Sequence, residues 1–266
     1  MSLANRQIVV SNSLERLQLR WFYSSRFYDR DYVRTSRSAV TTVPVLRNCL
    51  TAAGAPPPAS VIDIGCGRGV WLKAFGDLRI KGRDGPWTRQ DRLLIDRSAF
   101  EPTDLSQPFS EPERFDLAMT LEVAEHIEPP QADQFVANLA ALSDTILFSA
   151  AISGQGGQHH VNEQPLSYWA RKFEDRGYTL HDVLRPRLWL NSDVCWWYRQ
   201  NMVVFSNGQS RFRAGLEQAA SHNPALLDLA HPSGFAEKAR LANLFSPEEY
   251  IGLWLAKLGK RLRGAG

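Results

Sequence analysis

A chain of 266 residues, 44% of them hydrophobic, is long enough to bury a large core as one domain or as one domain with additions. Its formal net charge of +3 is too small to require a nucleic-acid partner, and no apolar run approaches the roughly 20 residues of a membrane helix. The first ten residues lack the basic and then apolar order of a signal peptide, and Cys49, Cys66 and Cys195 fit neither a disulfide framework nor a zinc site, so we expect reduced thiols in a cytoplasmic protein.

Residues 1–45 are set apart by their composition. Arginines and aromatic residues, such as Arg26, Arg30, Trp21 and Phe22, are frequent there. We interpret these residues as a helical segment that either packs plainly on the core or covers a crevice at the ends of the strands. The arginines favour a solvated helical face over a patch for phosphate or a membrane surface.

Strand-like runs alternate with helix-like stretches in the middle of the chain. The runs are VIDI (from 61), LRIKG (78), FDLAMTL (115), DTILFSA (144), YTLHDVL (178) and NMVVFS (201). Apolar spacing typical of helices falls at 70–75, 131–142 and 165–176. This alternation predicts an α/β fold with a mostly parallel sheet.

The C-terminal residues 207–266 indicate helices interrupted by Pro224, Pro232 and Pro247. They either cover the same crevice or pack on the sheet. The predicted organisation therefore has three parts: an N-terminal helical segment at 1–45, a core at 46–206 and a C-terminal helical segment at 207–266.

The stretch VIDIGCGRGVWL (61–72) carries the most specific signal in the chain. Gly65, Gly67 and Gly69 follow a strand and open a helix, so the turn can take positive φ and a ligand can approach its backbone. Dinucleotide-binding folds use GxGxxG to bind a pyrophosphate. Here Asp63 precedes the glycines in a DxGxGxG pattern, and its carboxylate would oppose a pyrophosphate but suit a cationic ligand.

VIDIGCGRG resembles the first motif of class I S-adenosylmethionine-dependent methyltransferases, whose cofactor carries a sulfonium and an ammonium group and no phosphate. RDGPW (83–87) resembles the end of that family's second strand, PTDL (102–105) its adenine-contact turn, and FDLAMTLEVAEHI (115–127) its fourth strand and following loop. The resemblance covers residues 58–206. It implies a Rossmann-like sheet of seven strands with helical additions at both ends.

The resemblance also implies roles for the matching residues. Asp84 would accept hydrogen bonds from the ribose hydroxyls and Asp104 from the adenine amino group, while Gly65 and Gly67 would face the methionine part. The alternative for Asp84 is a turn aspartate before Gly85. The expected cofactor-binding residues are Asp63, Gly65, Gly67, Gly69, Asp84, Asp104, Leu105 and Glu122.

The second half of the chain resembles a methyltransferase subgroup associated with sugar tailoring in glycans and glycosylated metabolites. The similar stretches are GGQHHVNEQPLSYWARKFEDRGY (156–178) and RPRLWLNSDVCWWYRQNMVVF (185–205). Aromatic side chains there either supply flat faces for sugar rings or belong to the core, and a polar triplet would bond hydroxyls. The aromatic residues are Trp189, Trp196, Trp197 and Tyr198, and the triplet is Asn162, Glu163 and Gln164.

The segment LEVAEHI (121–127) contains the residues that we expect to take part in the reaction. A helical turn would put Glu122, Glu125 and His126 on one face. One hypothesis is a divalent cation site for Mg²⁺ or Mn²⁺ completed by His159 or His160, similar to the ExxEH arrangement of metal-dependent methyltransferases that act on quinone precursors or RNA 3′ ends. The candidate metal ligands are Glu122, Glu125, His126 and His160.

Two other interpretations of this segment stay open. His126 or His160 would act as a metal-free general base, with Glu122 as a further catalytic residue. In a structural interpretation, Glu122 instead binds the cofactor's ammonium or caps the turn, and Glu125 pairs with His126.

The sequence as a whole predicts an O-methyltransferase that acts on a hydroxyl of a sugar or a glycosylated small molecule. The alternatives are the same chemistry on a phenolic metabolite or an RNA 3′ end, and a scaffold that binds the cofactor without turnover. A hydride-transferring dehydrogenase is disfavoured, because the glycine spacing lacks GxxG.

Overall fold

The computed structural model of the chain describes residues 32–220 and 227–242. The chain divides into two compact units, Met1–Leu229 and Ala230–Gly266. Much of the predicted terminal segments, including Pro224 and Pro247, lies outside the described residues. The predicted boundaries at residues 45 and 206 stay predictions.

Seven strands form the sheet of the first unit. They are β1 Ser60–Ile64, β2 Arg79–Asp84, β3 Phe100–Pro102, β4 Leu117–Leu121, β5 Thr145–Ser149, β6 Thr179–His181 and β7 Val203–Ser206. Their order is β3-β2-β1-β4-β5-β7-β6, and only β7 runs antiparallel to its neighbours. The predicted α/β fold with a seven-stranded sheet is confirmed. The short strand β3 matches none of the strand-like runs.

Helices cover both faces of the sheet. The described helices of the first unit are α1 Tyr32–Leu50, α2 Val70–Ala74, α3 Ala132–Leu142, α4 Leu166–Glu174, α5 Arg185–Leu188, α6 Trp196–Asn201 and α7 Arg213–Ala219. The second unit, taken by itself, contains helix α8 Pro232–Ala242. The three predicted helices of the core are confirmed as α2, α3 and α4. No helix of this part of the chain has the length and apolar character needed to cross a membrane.

Two apolar clusters lie on opposite faces of the sheet. All five residues of β1, β4 and β5 are buried, as expected for strands that are covered on both faces. Successive side chains of a strand point to opposite faces, so Val61 packs with α1 and α2 while Ile62 packs with α3 and α4. The sheet is therefore held rigidly from both sides.

The carboxyl ends of the parallel strands meet at one edge of the sheet. Strands β2, β1, β4 and β5 run in the same direction. Since β7 is antiparallel, its first residue, Val203, pairs with Phe148 near the end of β5. Helix α6, which ends at Asn201, therefore reaches the same edge, and this edge carries the polar residues described below.

Helix α7 packs closely on the end of α1 through Gly215. A Cβ atom at Gly215 would lie 2.7 Å from the carbonyl oxygen of Leu50 and 2.9 Å from that of Cys49. Backbone atoms cannot rotate away, so we expect Gly215→Val to lower the free energy of unfolding by about 1–3 kcal/mol in urea titrations. Gly208→Val is the matched control, because a Cβ atom there meets nothing within 4 Å. Equal stability of the two variants would contradict this packing.

Candidate functional site

The glycine turn between β1 and α2 requires glycine for two reasons. Gly65, Gly67 and Gly69 have φ values of 84°, 52° and 82°, a region that other residues rarely adopt. A Cβ atom at Gly65 would also lie 2.3 Å from Cγ2 of Val123. The predicted turn from strand to helix is therefore present, with its backbone at the polar edge of the sheet.

Two carboxyl groups lie beneath this turn. Asp84 is the last residue of β2, as expected, and its Oδ2 accepts a hydrogen bond of 2.5 Å from the Gly67 amide while its Oδ1 accepts one of 2.6 Å from the Gly85 amide. Asp63 is only 2% exposed. Burial, reinforced by the charge of Asp84, raises the pKa of Asp63 well above its ordinary value. A cationic ligand would offset the cost of ionising this carboxyl group.

Asp104 and Leu105 lie in the turn that follows β3. The Thr103 amide donates to the Asp84 carbonyl over 2.8 Å, which ties this turn to the end of β2. Asp104 is exposed, and its Oδ1 accepts hydrogen bonds from the Ser106 amide (3.1 Å) and hydroxyl (2.6 Å). Asp104 is thus oriented at the edge, while its contact with adenine stays a prediction.

Glu122 departs from the expected helical turn. Its φ is 56°, and a 3-10 turn begins only at Ala124. Glu122 therefore lies outside the helical turn. The expectation that Glu122, Glu125 and His126 share one helical face was wrong. The Glu122 carboxylate instead accepts hydrogen bonds from Asn201 Nδ2 (3.1 Å) and Gln155 Nε2 (3.0 Å).

Three other predicted residues do come together. Ligand atoms of Glu125, His126 and His160 all lie within 4.8 Å of one another. His160 Nε2 lies 3.9 Å from Oε1 of Glu125, and the imidazole rings of His126 and His160 meet edge to face with centroids 4.9 Å apart. The loop after β5 and the turn after β4 thus form one cluster.

Hydrogen bonds orient both imidazoles of the cluster. Nδ1 of His126 lies 3.0 Å from the His159 carbonyl oxygen, which can only accept. Burial and the charge of His160 lower the pKa of His126 to about 4, so His126 is neutral near pH 7, donates from Nδ1 and keeps a lone pair on Nε2. Nδ1 of His160 lies 2.7 Å from the Glu163 carboxylate.

Glu163 has a role that differs from the expected contact with acceptor hydroxyls. Its carboxylate also accepts hydrogen bonds from the amides of Gly154 (2.9 Å) and Gly156 (2.6 Å). It therefore fixes the loop that carries His160. A carboxylate at the far nitrogen of an imidazole sets the tautomer in metal sites and in general bases alike.

Glu125 is the least compensated group of the cluster. Its side chain is 1% exposed, and among the described residues neither carboxylate oxygen accepts a hydrogen bond of normal geometry, although the backbone amides of Glu125 and Ala151 partly stabilise its charge. Burial, with a further contribution from the Glu122 charge, raises the pKa of Glu125 well above its ordinary value. One carboxylate and two imidazoles can ligate a divalent transition-metal ion. Because two of the three donors are nitrogen, the residues present fit Mn²⁺ better than Mg²⁺, which prefers oxygen ligands and water.

An amide network beside the cluster was missed by sequence reasoning. Gln200 Nε2 donates to Gln155 Oε1 over 3.0 Å, and Asn201 Nδ2 donates to the same oxygen over 3.0 Å. These residues come from α6 and from the loop after β5, about 45 residues apart. Local spacing carries no signal of such a contact. The network fixes the position of the Glu122 carboxylate.

The aromatic residues of α6 divide between core and surface. Tyr198 is buried, and its hydroxyl accepts a 3.4 Å hydrogen bond from Nε1 of Trp71 in α2. Trp196 and Trp197 are half-buried and pack edge to face with centroids 5.7 Å apart. Tyr198 is therefore a core residue, while Trp196 and Trp197 are partly exposed to solvent and Trp197 packs against the core.

Comparison with known proteins gives one family match. Residues 44–199 match a family model described as a methyltransferase domain. A comparison with curated proteins finds no significant match. The matched range includes the glycine turn, Asp84, Asp104 and the Glu125 cluster.

One solved structure with a TM-score above 0.5 supports the fold, and two others show a weaker similarity. Magnesium protoporphyrin IX methyltransferase from Synechocystis PCC 6803, with bound SAH, is 17% identical and has a TM-score of 0.51 over 73% of this chain and 100% of that one. The plantazolicin methyltransferase BpumL with SAH is 16% identical, with a TM-score of 0.49 over 75% and 99% of the two chains. An amino pentose methyltransferase from Micromonospora echinaspora is 14% identical, with a TM-score of 0.49 over 69% and 98%.

Replacement of the buried Asp63 should change cofactor affinity and protein stability in opposite directions. Asp63→Asn removes a charge that a cationic cofactor would neutralise, so we expect S-adenosylmethionine to bind about tenfold more weakly or worse in calorimetry. Folding raises the pKa of the Asp63 carboxyl group above 3.8, its ordinary value in an unfolded chain. The contribution of Asp63 to the free energy of unfolding of the wild type therefore decreases as the pH rises above about 3.8. The variant lacks this loss, so its stability relative to the wild type should increase with pH from about pH 4 upward.

Asp116→Asn is the control for this prediction. The Asp116 carboxylate accepts hydrogen bonds from the amides of Ala59 (2.7 Å) and Ser60 (3.2 Å) at the opposite edge of the sheet. We expect this variant to lose stability and to keep its affinity for the cofactor. Unchanged affinity in Asp63→Asn would contradict the assignment of a cationic ligand to the glycine turn.

Proposed function

This chain belongs to the methyltransferase domain family, and from that premise we propose that it transfers a methyl group from S-adenosylmethionine to a hydroxyl of a sugar or a glycosylated small molecule. The observation that carries the proposal is the cluster of Glu125, His126 and His160 at the same sheet edge as the glycine turn. Hydroxyl groups need help with proton removal before they attack a methyl group. This cluster offers that help where an acceptor would meet the cofactor.

The glycine turn and the acidic residues around it are proposed to bind the cofactor. Asp63 and Asp84 lie beneath the turn, and Asp104 and Leu105 lie in the turn after β3. The Glu122 carboxylate, held by two amide side chains, is proposed to bind the ammonium group. In this assignment Asp63 and Glu122 face the positive groups of the ligand, while Asp84 and Asp104 accept hydrogen bonds from its ribose hydroxyls and its adenine amino group.

In a metal-free form of the site, His160 is proposed to orient the acceptor hydroxyl and to take its proton at Nε2 as the new bond forms. An imidazole is too weak a base to deprotonate an alcohol beforehand. The Glu163 carboxylate at Nδ1 of His160 fixes the orientation of the ring, as a carboxylate does in hydrolytic triads. His126, neutral near pH 7 because burial lowers its pKa to about 4, serves better as a ligand than as a base.

We further propose that Glu125, His126 and His160 hold Mg²⁺ or Mn²⁺, which would lower the pKa of the acceptor hydroxyl when bound. The unpaired, buried Glu125 carboxylate supports this assignment. Glu122 was also expected as a ligand, but its carboxylate is engaged by Asn201 and Gln155. If no ion binds, His160 remains as a metal-free base in the same position.

Half-buried tryptophans support a sugar as the acceptor. Trp196 and Trp197 are only partly buried at the start of α6, and aromatic side chains commonly stack on the apolar sides of sugar rings. Because Arg34 lies over the Trp197 ring, Trp196 is the proposed stacking residue. Phenolic acceptors and RNA 3′ ends are the alternative substrates for the same chemistry. A cytoplasmic location remains a prediction.

The test of the proposed function is mass spectrometry of acceptors incubated with the full chain and S-adenosylmethionine that carries a labelled methyl group. We expect one labelled methyl on a hydroxyl of a sugar or glycoside, and none on a phenol panel or on RNA oligonucleotides with free 3′ hydroxyls. Transfer only to phenols or RNA ends would contradict the sugar assignment. Transfer to nitrogen would contradict O-methylation.

Metal dependence is a separate prediction. A chelator should abolish methyl transfer, and Mg²⁺ or Mn²⁺ should restore it. Glu125→Gln removes the carboxylate charge at constant size, so we expect kcat to fall about 100-fold or more. The affinity for S-adenosylmethionine, measured by calorimetry, should stay unchanged, because Glu125 lies outside the proposed cofactor contacts.

Histidine variants separate the two roles of the cluster. His160→Ala should lower kcat much more than His159→Asn does, because the backbone carbonyl of His159 that orients Nδ1 of His126 is kept in the asparagine variant and asparagine tolerates the φ of 60° at this position. Full activity in chelator together with loss in His160→Ala would identify a metal-free base. Full activity of both His160→Ala and Glu125→Gln would contradict any catalytic role of the cluster.

A further inference from the structure

A second polar site lies between the start of α1 and the segment that leads into α6. A cavity of about 250 Å³ is lined there by Arg34, Arg37, Asp193, Trp196 and Arg199, among others. Among the described residues of the lining, three guanidinium groups stand against the single carboxylate of Asp193, so this part of the lining carries net positive charge. The proposed cofactor and metal residues are not part of its lining.

Arg199 is the unusual residue of this cavity. It is only 9% exposed, and its Nε is buried without a hydrogen-bond partner. One other nitrogen of its guanidinium, Nη1, donates to the Trp189 carbonyl over 2.9 Å. Burial lowers the pKa of Arg199. A buried guanidinium without a carboxylate partner is costly, and an anion in the cavity would remove that cost.

The other arginines leave room for such an anion. The Arg37 guanidinium lies 3.7 Å from the Asp193 carboxylate, but the two side chains are 63% and 59% exposed, so this surface pair is weak. The Arg34 guanidinium lies 4.8 Å from the centre of the Trp197 ring. Arg34 is therefore held over an aromatic face at the rim of the cavity, in a cation–π contact.

Helix α6 connects this cavity to the proposed reaction site. Arg199 lines the cavity, whereas the next two residues, Gln200 and Asn201, hold Gln155 and Glu122 at the carboxyl edge of the sheet. The tryptophan proposed to stack on a sugar, Trp196, also lines the cavity. One short helix thus presents an aromatic face and a guanidinium to the same space, beside the residues of the reacting end.

We propose that this α1–α6 cavity binds an anionic group of the acceptor, a phosphate ester or a carboxylate, with Arg199 and Arg37 as its principal ligands. Guanidinium groups match the planar, two-oxygen face of both anions. The inference rests on the proposed O-methyltransferase function and narrows its substrates to acidic sugars. Asp193, the one carboxylate in the lining, would be displaced from Arg37 by the ligand or would bond to an adjacent hydroxyl.

Calorimetric titration of the full chain with three sugars of similar size tests this inference. The chain is first saturated with S-adenosylhomocysteine (SAH), the cofactor product that lacks the methyl group. Glucose 1-phosphate carries a phosphate ester, glucuronate a carboxylate, and glucose neither. We expect at least one acidic sugar to bind about tenfold more tightly than glucose, and the comparison identifies which anion the cavity prefers. Equal or absent binding of all three sugars would overturn the inference.

Arginine variants locate the binding. Arg199→Gln and Arg37→Gln should each weaken binding of the acidic sugar, about tenfold for Arg199, with the affinity for SAH unchanged. Arg213→Gln removes an equal charge from an exposed pair with Glu217 on α7 and should have no effect. If Arg199→Gln does not fold, the largely exposed Arg37 decides the result. Wild-type binding by a folded Arg37→Gln or Arg199→Gln variant would place the anion elsewhere and overturn the inference.

The methyl-transfer assay distinguishes this inference from the function on which it rests. Methyl transfer to neutral sugars without binding of either acidic sugar would refute the anion site and leave the O-methyltransferase intact. Binding of an acidic sugar that depends on Arg199 and Arg37, without transfer to any hydroxyl, would refute the proposed function and leave the anion site intact.

Discussion

Negative charge buried without a matching positive charge is the constraint on which this site depends. Asp63 and Glu125 are almost fully buried at the carboxyl edge of the sheet, and burial raises the pKa of both. Ionised carboxylates in such surroundings cost several kcal/mol unless a cation or strong donors compensate them. The ionised forms of these two carboxyl groups are therefore destabilised at this edge in the protein alone. A bound cation would stabilise them, and this stabilisation would add to its free energy of binding.

The fold creates this arrangement by bringing strand ends together. Parallel β1, β2 and β4 deliver Asp63, Asp84 and Glu122 to one edge, and the antiparallel β7 brings α6 to the same place. Helices on both faces exclude water from the strands, so carboxyl groups at the ends of those strands lie in a low-dielectric setting. The positive φ values of the glycines leave the backbone of the turn open to a ligand. Rigid packing below the edge keeps these groups in place without a ligand.

The sequence predicts the local parts of the site well and its long-range parts poorly. The glycine turn and the position of Asp84 at the end of β2 follow from spacing and from strand-to-helix patterns. The approach of His160 to Glu125 and His126 was expected from the resemblance to metal-dependent methyltransferases and not from local spacing. The left-handed Glu122 was not expected, because its conformation accompanies hydrogen bonds from its amide to Ser149 on the neighbouring strand. Likewise, the amide network of α6 and the surroundings of Arg199 depend on contacts between distant segments that no local pattern records.

The central proposal concerns the cluster after β4, whose buried carboxylate and two oriented imidazoles are proposed to hold a cation at the point of methyl transfer. The most direct measurement is anomalous diffraction from crystals of the full chain grown with SAH and Mn²⁺. The account predicts a manganese peak with Glu125, His126 and His160 atoms at about 2.0 to 2.3 Å from it. A Glu125 carboxyl group hydrogen-bonded directly to His126 or His160, with no manganese between them, would contradict it.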